Sequence, residues 1–285
     1  MAQPTDYEQY LLELVNRARA NPGAEAQRLG IGLNDGLSPG TIAATAKQPL
    51  AFNPQLIDAA RDHSAWMLAT DTFSHTGAGG SSPGDRMTAA GYSFTGSWTW
   101  GENISIRWGS GTALNGAQVE AFHDGLFRSA GHRTNILNDG FKEIGTGLAL
   151  GEYRGSTGAT ATEVFARSGT GSFLTGVAFD DRDGDRFYDP GEGLGGLSVQ
   201  ISGGGGTFQT TTWGSGGYQI KLAAGTYSVT FSGGGLASPV TKSVTIGSAN
   251  VKLDLDTDAD AGGGGGGGLV LTGTTGNDVL TGGAG

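Results

Sequence analysis

The chain has 285 residues, which is enough for two domains of ordinary size. Its formal net charge of -10 gives a field that repels phosphate backbones, so no nucleic-acid partner is expected. It contains no cysteine, which excludes disulfide bonds, cysteine nucleophiles and cysteine-ligated zinc.

Two helices are predicted near the start of the chain. Thr5 and Glu8 have the spacing of a capping box, and the apolar residues that follow recur on one face. This pattern predicts a helix over residues 6–20. The Asn-Pro pair at 53–54 supplies an N-cap and a proline at the first helical position, and predicts a second helix that ends near Thr70.

The rest of the first part mixes loops, one more helix and strands. Residues 22–49 are rich in Gly, Pro and Asn, which favours loop over any long element. Apolar spacing predicts a third helix over about residues 113–127. The apolar residues of "EIGTGLAL" at 143–150 alternate as in a strand, and "TEVFARSG" has the same texture. Residues 1–170 are therefore predicted to form an α+β domain.

Four stretches of this part carry a family resemblance. They are "HSAWMLATDTFSH" at 63–75, "SSPGDRMTAAGY" at 81–92, "GENI" at 101–104 and "SAGHRTNIL" at 129–137. In order and spacing they resemble the bacterial branch of the CAP superfamily, also called SCP/PR-1-like. The resemblance covers about residues 5–168 and implies an α-β-α sandwich.

The resemblance also implies a cleft that holds His75, Glu102 and His132. The family pattern has a fourth, acidic member on a helix, where this chain reads "EAFHDGLF" without an obvious match. Three side chains are candidates for that place: Asp124, His123 and Glu120.

Two neutral imidazoles and a carboxylate can hold a divalent ion such as zinc and leave a position open for water. Without metal, His beside Glu is a candidate general acid or base. No serine lies in a G-x-S-x-G elbow, so a Ser-His-Glu hydrolase is not supported. Whether the cleft is catalytic stays open, because members of the superfamily have been linked to lipid or sterol binding, proteolysis, cell-wall association and signalling.

Other polar and aromatic residues near these motifs have simpler interpretations. His63, inside the second helix, is expected to be packed or hydrogen-bonded, and Arg133 to form a structural ion pair. Asn103 is expected to bond main chain in a turn. Three tryptophans flank "GENI" and either line a groove for a lipid or a glycan or pack on the sheet: Trp98, Trp100 and Trp108.

The segment "DDRDGDRFYDPGE" has the spacing of a calcium loop. Counted from Asp181, acidic side chains occupy positions 1, 3, 5, 9 and 12, the spacing of oxygen ligands in an EF-type loop. The predicted ligands are Asp181, Asp183, Asp185, the main-chain carbonyl of Phe187, Asp189 and Glu192. Glycine at position 4 instead of 6 and the strand-like flanks argue against a helix-loop-helix EF-hand.

Short alternating runs about ten residues apart predict an antiparallel β-sandwich over 171–257. This part is similar to the SdrD B-like, Cna-B-type repeats of bacterial surface proteins. That resemblance implies an all-β, Ig-like or prealbumin-like sandwich, which calcium stiffens as a spacer.

The remaining chain is predicted to be a Gly-rich linker at 258–268 and the start of a repeat at 269–285. "GTTGNDVLTGGAG" resembles RTX, or hemolysin-type, calcium repeats, with Gly276 and Asp278 in register. If such repeats continue, the resemblance implies type I export. The opening "MAQPTDYEQY" lacks the features of a secretory signal, and no apolar run approaches the roughly 18 residues of a membrane span.

Three functions remain open. The first is an extracellular protein whose cleft binds a ligand, a metal or both, on a calcium-stiffened spacer; the ligand could be a lipid, a sterol, a glycan or an extracellular protein. The second is a metal-assisted peptidase that uses His75, Glu102 and His132 with a bound water. The third is a structural surface or matrix protein with an inactive cleft.

Overall fold

The computed structural model describes residues 2–261. The first part of the chain contains one four-stranded sheet, in the order β1-β3-β4-β2. Its strands are β1 (Ala51–Phe52), β2 (Thr99–Trp108), β3 (Glu143–Tyr153) and β4 (Ser156–Arg167). β1 runs parallel to β3 and the other pairs are antiparallel. β2 is therefore an edge strand, with β4 as its only neighbour in the described sheet.

Six helices belong to this part: α1 (Asp6–Ala20), α2 (Pro22–Arg28), α3 (Pro54–Ala69), α4 (Pro83–Ala89), α5 (Gly116–Arg128) and α6 (Ala130–Ile136). α1 has the predicted bounds and its capping box is formed. α3 ends one residue before Thr70, and α5 begins about one turn later than predicted. The region expected to be loop starts with the short helix α2, because Asn21 caps it and Pro22 fits its first position.

Helices pack on both faces of the sheet. Gly145 and Gly147 of β3 let α3 approach so closely that a Cβ at either position would overlap the backbone of that helix. From the opposite face, Thr146 Oγ1 donates to the main-chain oxygen of Glu8 in α1, at 3.2 Å. Because successive strand residues point to opposite faces, α1 and α3 are the outer layers of an α-β-α arrangement, as expected.

The second part consists of strands and one short terminal helix. Its elements are β5 (Ser172–Phe179), β6 (Ser198–Gly203), β7 (Gly206–Thr211), β8 (Gly217–Leu222), β9 (Gly225–Ser232), β10 (Val240–Ile246), β11 (Val251–Lys252), β12 (Leu255–Asp256) and α7 (Thr257–Ala261). One sheet has the order β10-β9-β6-β7, and in the other β5 pairs with β8, β11 and β12. Residues of both sheets share one hydrophobic core.

The second part differs from the prediction in two places. β11 and β12 run parallel to β5, since the chain crosses over from the other sheet before it pairs, so the strands are not all antiparallel. The predicted linker begins too early, because residues 258–261 belong to α7. Asp260 Oδ2 accepts from the main-chain N–H of Asp256 at 3.0 Å and lies 2.5 Å from Lys242 Nζ. The rest of the predicted linker, 262–268, lies outside the described residues.

The two parts pack against each other through polar and apolar contacts. Asn250 Nδ2 donates to the main-chain oxygens of Pro49, at 3.0 Å, and Lys142, at 2.7 Å. Lys252 Nζ lies 2.9 Å from Glu13 Oε2 of α1. A hydrophobic cluster also joins residues of α1 and α5 to residues of β5 and of the loop at 181–192, called the acidic loop below.

Candidate functional site

Glu102 lies in the first half of β2, with a side chain that is 1% exposed. Its two carboxylate oxygens have different partners. Oε1 is 2.8 Å from His75 Nδ1, and Oε2 is 2.5 Å from Arg86 Nη2. Burying a carboxylate this deeply is costly unless charged and hydrogen-bonding partners replace its lost hydration.

Arg86, on α4, holds this group together. Its Nη1 donates to the main-chain oxygens of His75, at 3.1 Å, and Ser81, at 2.9 Å. One guanidinium therefore orients the His75 loop and the Glu102 carboxylate at the same time. No pattern in the sequence singles out Arg86, although it lies in the stretch "SSPGDRMTAAGY". A capping box from Ser82 to Asp85 starts the short helix that carries it.

His75 presents its free edge to solvent. The side chain is 53% exposed, although its Nδ1 atom is held by Glu102. His132, on α6, is half-buried and close enough to His75 for the two rings to interact electrostatically. Burial and the neighbouring His75 lower the pKa of His132 below its usual range, so His132 is neutral near pH 7. His75 and the anchored Glu102 carboxylate thus form one site, and α6, which carries His132, is bonded to the same strand through Asn103.

His63, on α3, is buried beside Glu102. As expected it is packed: the side chain is 0% exposed, it stacks on Trp66, and Nε2 lies 2.9 Å from the main-chain oxygen of Ser74. The same nitrogen is also 4.0 Å from Glu102 Oε1. Burial lowers the pKa of His63, which leaves it neutral. The sequence analysis did not foresee its contact with Glu102.

The three candidates for the fourth member of the cleft contact α2 instead. His123 is buried and its Nε2 lies 3.0 Å from Glu25 Oε1 at α2. Asp124 pairs with Arg28, and Glu120 Oε1 is 3.4 Å from the same guanidinium. These three side chains of α5 face α2, because Arg28 and Glu25 offer them opposite charge and hydrogen bonds. The prediction that one of them completes the cleft is therefore not supported.

Two neighbouring motif residues differ from their predicted roles. Asn103 lies in β2 and not in a turn, and its Nδ2 donates to the main-chain oxygen of His132, at 3.2 Å, and to Glu163 Oε2, at 2.9 Å. Arg133 is buried and makes no ion pair within residues 2–261; it donates instead to four main-chain carbonyls. A carbonyl cage satisfies a buried guanidinium without a second buried charge. Arg133 and Asn103 hold α6 in place and so position His132.

The cleft fits zinc only in part. Both oxygens of Glu102 are engaged, and the cation Arg86 disfavours a second cation at that carboxylate. Within residues 2–261, only Asp181, Asp183 and Asp185 form a group of three or more His, Cys, Asp or Glu side chains with ligand atoms within 4.8 Å of one another. The exposed imidazole of His75 remains as a candidate zinc donor, with the half-buried His132 as the second, without Glu102.

Three of the five predicted carboxylate ligands in the loop at 181–192 converge: Asp181, Asp183 and Asp185 have oxygens within 4.8 Å of one another, and Asp189 and Glu192 do not join this group. Asp181 is buried and accepts main-chain N–H groups of Gly184 and Arg186, both at 3.0 Å. Glu192, also buried, accepts from Arg182 at 2.9 Å and Asp189 at 2.8 Å. The main chain of the loop is therefore folded around the first and last predicted ligands. The donor set consists of oxygens only, which suits a hard cation such as calcium.

Repulsion among these carboxylates is visible at Asp189. Burial together with the charges of Glu192, Asp185 and Asp183 raises the pKa of Asp189 to about 6. The loop also touches the first part of the chain. The rings of Phe187 and Tyr10 are 6.1 Å apart, and Tyr188 is buried in the cluster that α1 shares with β5.

Gly276 and Asp278 of the predicted RTX repeat lie outside the described residues. No described helix has the length and apolar character that a membrane crossing requires.

The model of the cysteine-rich secretory protein family, CAP, matches residues 12–165, more than half of the chain. A comparison with curated proteins finds no match.

Several solved structures are similar. An extracellular protein containing an SCP domain, from Bacillus anthracis, is 30% identical over 43% of this chain and 35% of its own length, with a TM-score of 0.32. An outer surface protein from Borrelia burgdorferi is 13% identical over 59% of this chain and 97% of its own length, with a TM-score of 0.38. NaASP2, whose structure was determined with Zn²⁺, is 16% identical over 57% of this chain and 80% of its own length, with a TM-score of 0.37. This chain thus spans about a third of the Bacillus protein.

Proposed function

Because the chain belongs to the CAP family of cysteine-rich secretory proteins, we propose that it is an extracellular CAP-domain protein that binds a ligand at His75 and His132. One observation carries the proposal: the His75 ring is 53% exposed while Glu102 and Arg86 fix its orientation. A half-exposed imidazole that is anchored on one nitrogen is preorganised to bind a group on the other.

The surroundings suggest a ligand with a polar head and an apolar body. The neutral His132 can accept or donate a hydrogen bond beside His75. The Trp100 indole is 37% exposed and lies against Gly84 of α4, the helix that carries Arg86. An aromatic surface next to imidazole nitrogens suits a glycan, a sterol or another lipid, and it equally suits a side chain of an extracellular protein.

Binding is better supported than catalysis. A peptidase with a metal-bound water needs three protein ligands in most sites, and here Glu102 is occupied by His75 and Arg86. A zinc ion would be held by the two histidines and would act as a Lewis acid there. Metal-assisted hydrolysis therefore stays a second interpretation, and a structural protein with an inactive cleft stays the third.

Native mass spectrometry of the secreted full-length chain tests the proposal. The wild type should carry a non-covalent adduct that His75→Ala and His132→Ala both lose. Trp108→Ala is the matched control, since its exposed ring lies at the far end of β2, and it should keep the adduct. Dialysis against a chelator separates the outcomes, because it removes a metal and leaves an organic ligand. Equal spectra for all four proteins would refute the proposal.

We infer a second function for the loop at 181–192, which is calcium binding that stiffens the second part as a spacer. The supporting observation is the convergence of Asp181, Asp183 and Asp185, with oxygens within 4.8 Å of one another on a loop whose main-chain N–H groups already point at Asp181 and Glu192. The cation would relieve the repulsion that raises the pKa of Asp189.

Export by a type I route is also proposed, on the resemblance of residues 269–285 to RTX repeats. Expression of the protein beside a type I transporter should deliver it to the medium. Retention in the cell would refute this part of the proposal and leave ligand binding untouched.

A further inference from the structure

The outer half of β2 has a free edge. β2 pairs with β4 on one side, and beyond its strand end the N–H of Gly109 donates to the main-chain oxygen of Thr157, at 3.0 Å. In an antiparallel ladder the direction of the main-chain groups alternates from residue to residue. Even-numbered residues of β2 therefore direct their N–H and C=O away from β4.

A side-chain contact agrees with this alternation. Asn135 Nδ2, on α6, donates to the main-chain oxygen of Glu102 at 3.2 Å, so this carbonyl does point outward. Past Glu102, within residues 2–261, the N–H and C=O groups of Ile104, Ile106 and Trp108 have no hydrogen-bond partner at this edge. Ile104 is buried, so the accessible part of the edge begins at Ile106. α6 thus covers the first half of the edge and leaves the second half free.

A groove of about 530 Å³ lies beside this open half. One wall is β2 from Ser105 to Trp108, and the other is a face of α5. The α5 wall carries Gln118, Ala121 and Gly125, at spacings of three and four residues that place them on one side of the helix. Ala121 and Gly125 have almost no side chain, which leaves room next to the strand.

The residues that line the groove favour a partner with negative charge and hydrogen-bond acceptors. Arg107 is the one charged residue among those that line it, is exposed, and forms no ion pair with any described residue. Gln118 Nε2 is buried and lacks an acceptor. On a chain of net charge -10, the cation of Arg107 makes this groove favour acidic segments over neutral and basic ones.

We propose that the free half of β2 binds an acidic peptide segment of another protein in extended conformation, as an added strand. The outward groups of Ile106 and Trp108 pair with the main chain of the peptide. Arg107 binds a carboxylate of the peptide and Gln118 donates to an oxygen. At about 3.3 Å per residue, the accessible edge at 106–108 pairs with roughly three peptide residues.

Selection of a phage-displayed random octapeptide library on the full chain tests the proposal. Ile106→Pro removes one outward N–H and places a ring at the edge, while the ladder to β4 needs no hydrogen bond from that N–H. Ile106→Val keeps the N–H and is the matched control. Wild type and Ile106→Val should enrich sequences with alternating β-branched residues and an acidic residue, and Ile106→Pro should bind the resulting peptide at least tenfold more weakly.

Charge and backbone direction are tested on the same synthetic peptide. Arg107→Glu should weaken binding at least tenfold and should accept the peptide in which the acid is replaced by lysine. N-methylation of the peptide should abolish binding at alternate positions only, a readout that stands even if Ile106→Pro does not fold. Failure to enrich any peptide above the Ile106→Pro background, or binding insensitive to N-methylation, would overturn the proposal. His75→Ala should retain peptide binding, which separates this test from that of the proposed function.

Discussion

Arg86 Nη2 lies 2.5 Å from Glu102 Oε2, and the same guanidinium donates to the main-chain oxygen of His75. The ion pair is nearly dry, with side chains 12% and 1% exposed. Glu102 is thus fixed as an acceptor for His75 Nδ1 and is not free to act as a mobile base or as an additional metal ligand. The cleft consists of a rigid anchor that leaves one imidazole edge for a partner.

The loss of Arg86 should destabilise the fold more than an ordinary surface change. Arg86→Ala leaves the Glu102 carboxylate buried without its cation, which costs about 3 kcal/mol of unfolding free energy. Arg86→Lys keeps the charge but not the fork that reaches His75 and Ser81, and should lose part of this amount. Urea unfolding monitored by tryptophan fluorescence measures both.

Arg107→Ala is the control for Arg86→Ala, because Arg107 is exposed and forms no ion pair within the described residues. It should change the unfolding free energy by less than about 0.5 kcal/mol. Equal losses for the two variants would mean that the Arg86–Glu102 pair adds nothing to stability.

Local signals in the sequence predicted local structure well. The capping box of Thr5 and Glu8 and the proline at 54 predicted the bounds of α1 and α3 almost to the residue, because both signals act within one helical turn. The approach of Arg86 to Glu102 depends on how α4 packs against β2, which no spacing along the chain encodes. His123 and Asp124 were assigned to the cleft for the same reason: their helix was predicted, but not the face that meets α2.

Glu163→Gln should stabilise the protein at alkaline pH. Burial raises the pKa of Glu163 to about 7, from a usual value of 4.5, and its Oε1 is buried without a hydrogen-bond partner. A raised folded-state pKa means that the contribution to stability is complete below 4.5 and is lost as the pH rises through about 7. At about 1.4 kcal/mol per pKa unit, the variant should gain about 3 kcal/mol over wild type at pH 8.5.

Thermal melts from pH 4.5 to 8.5 measure the effect of Glu163→Gln. The two melting temperatures should coincide at the acid end and diverge as the pH rises. Glu152→Gln, at an exposed glutamate of the same sheet, should follow wild type throughout. A gap between Glu163→Gln and wild type that does not change with pH would contradict a titration of Glu163.

Calcium should stabilise the full chain through the loop at 181–192. For an extracellular module with a Kd of about 0.1–1 mM, 10 mM calcium adds roughly 1.5–2.7 kcal/mol to the free energy of unfolding. Asp183→Asn should abolish most of this gain, and Asp258→Asn, at an exposed acid of α7, should not. Calorimetric melts with calcium, magnesium or chelator measure it, and identical melts would refute a calcium site.

The protein in chelator should also show a pH signature of the loop. Because burial and neighbouring carboxylates raise the pKa of Asp189 from 3.8 to about 6, its contribution to stability is present below 3.8 and is lost as the pH rises through 6. Calcium should reverse this loss. No pattern in the sequence predicts the packing of Phe187 on Tyr10, which couples the loop to α1.

Arg133→Met should cost about 3 kcal/mol of unfolding free energy, since it strips hydrogen bonds from four buried or part-buried carbonyls. The acceptors are neutral main-chain oxygens, so the loss should be the same in 0.05 M and 0.5 M salt. Arg28→Met is the contrasting variant, because Arg28 pairs with the carboxylates of Glu25 and Asp124 at a partly exposed position. Its smaller loss should shrink with added salt.

Urea unfolding at the two salt concentrations decides between a carbonyl cage and the ion pair that the sequence suggested for Arg133. A loss in Arg133→Met that shrinks with salt in parallel with Arg28→Met would restore the ion pair, with Asp35 as the carboxylate whose charge acts on Arg133. A constant loss instead assigns Arg133 to the main chain around α6. Since α6 carries His132, Arg133→Met should then also weaken ligand binding at His75 and His132, with no change in the residues that touch the ligand.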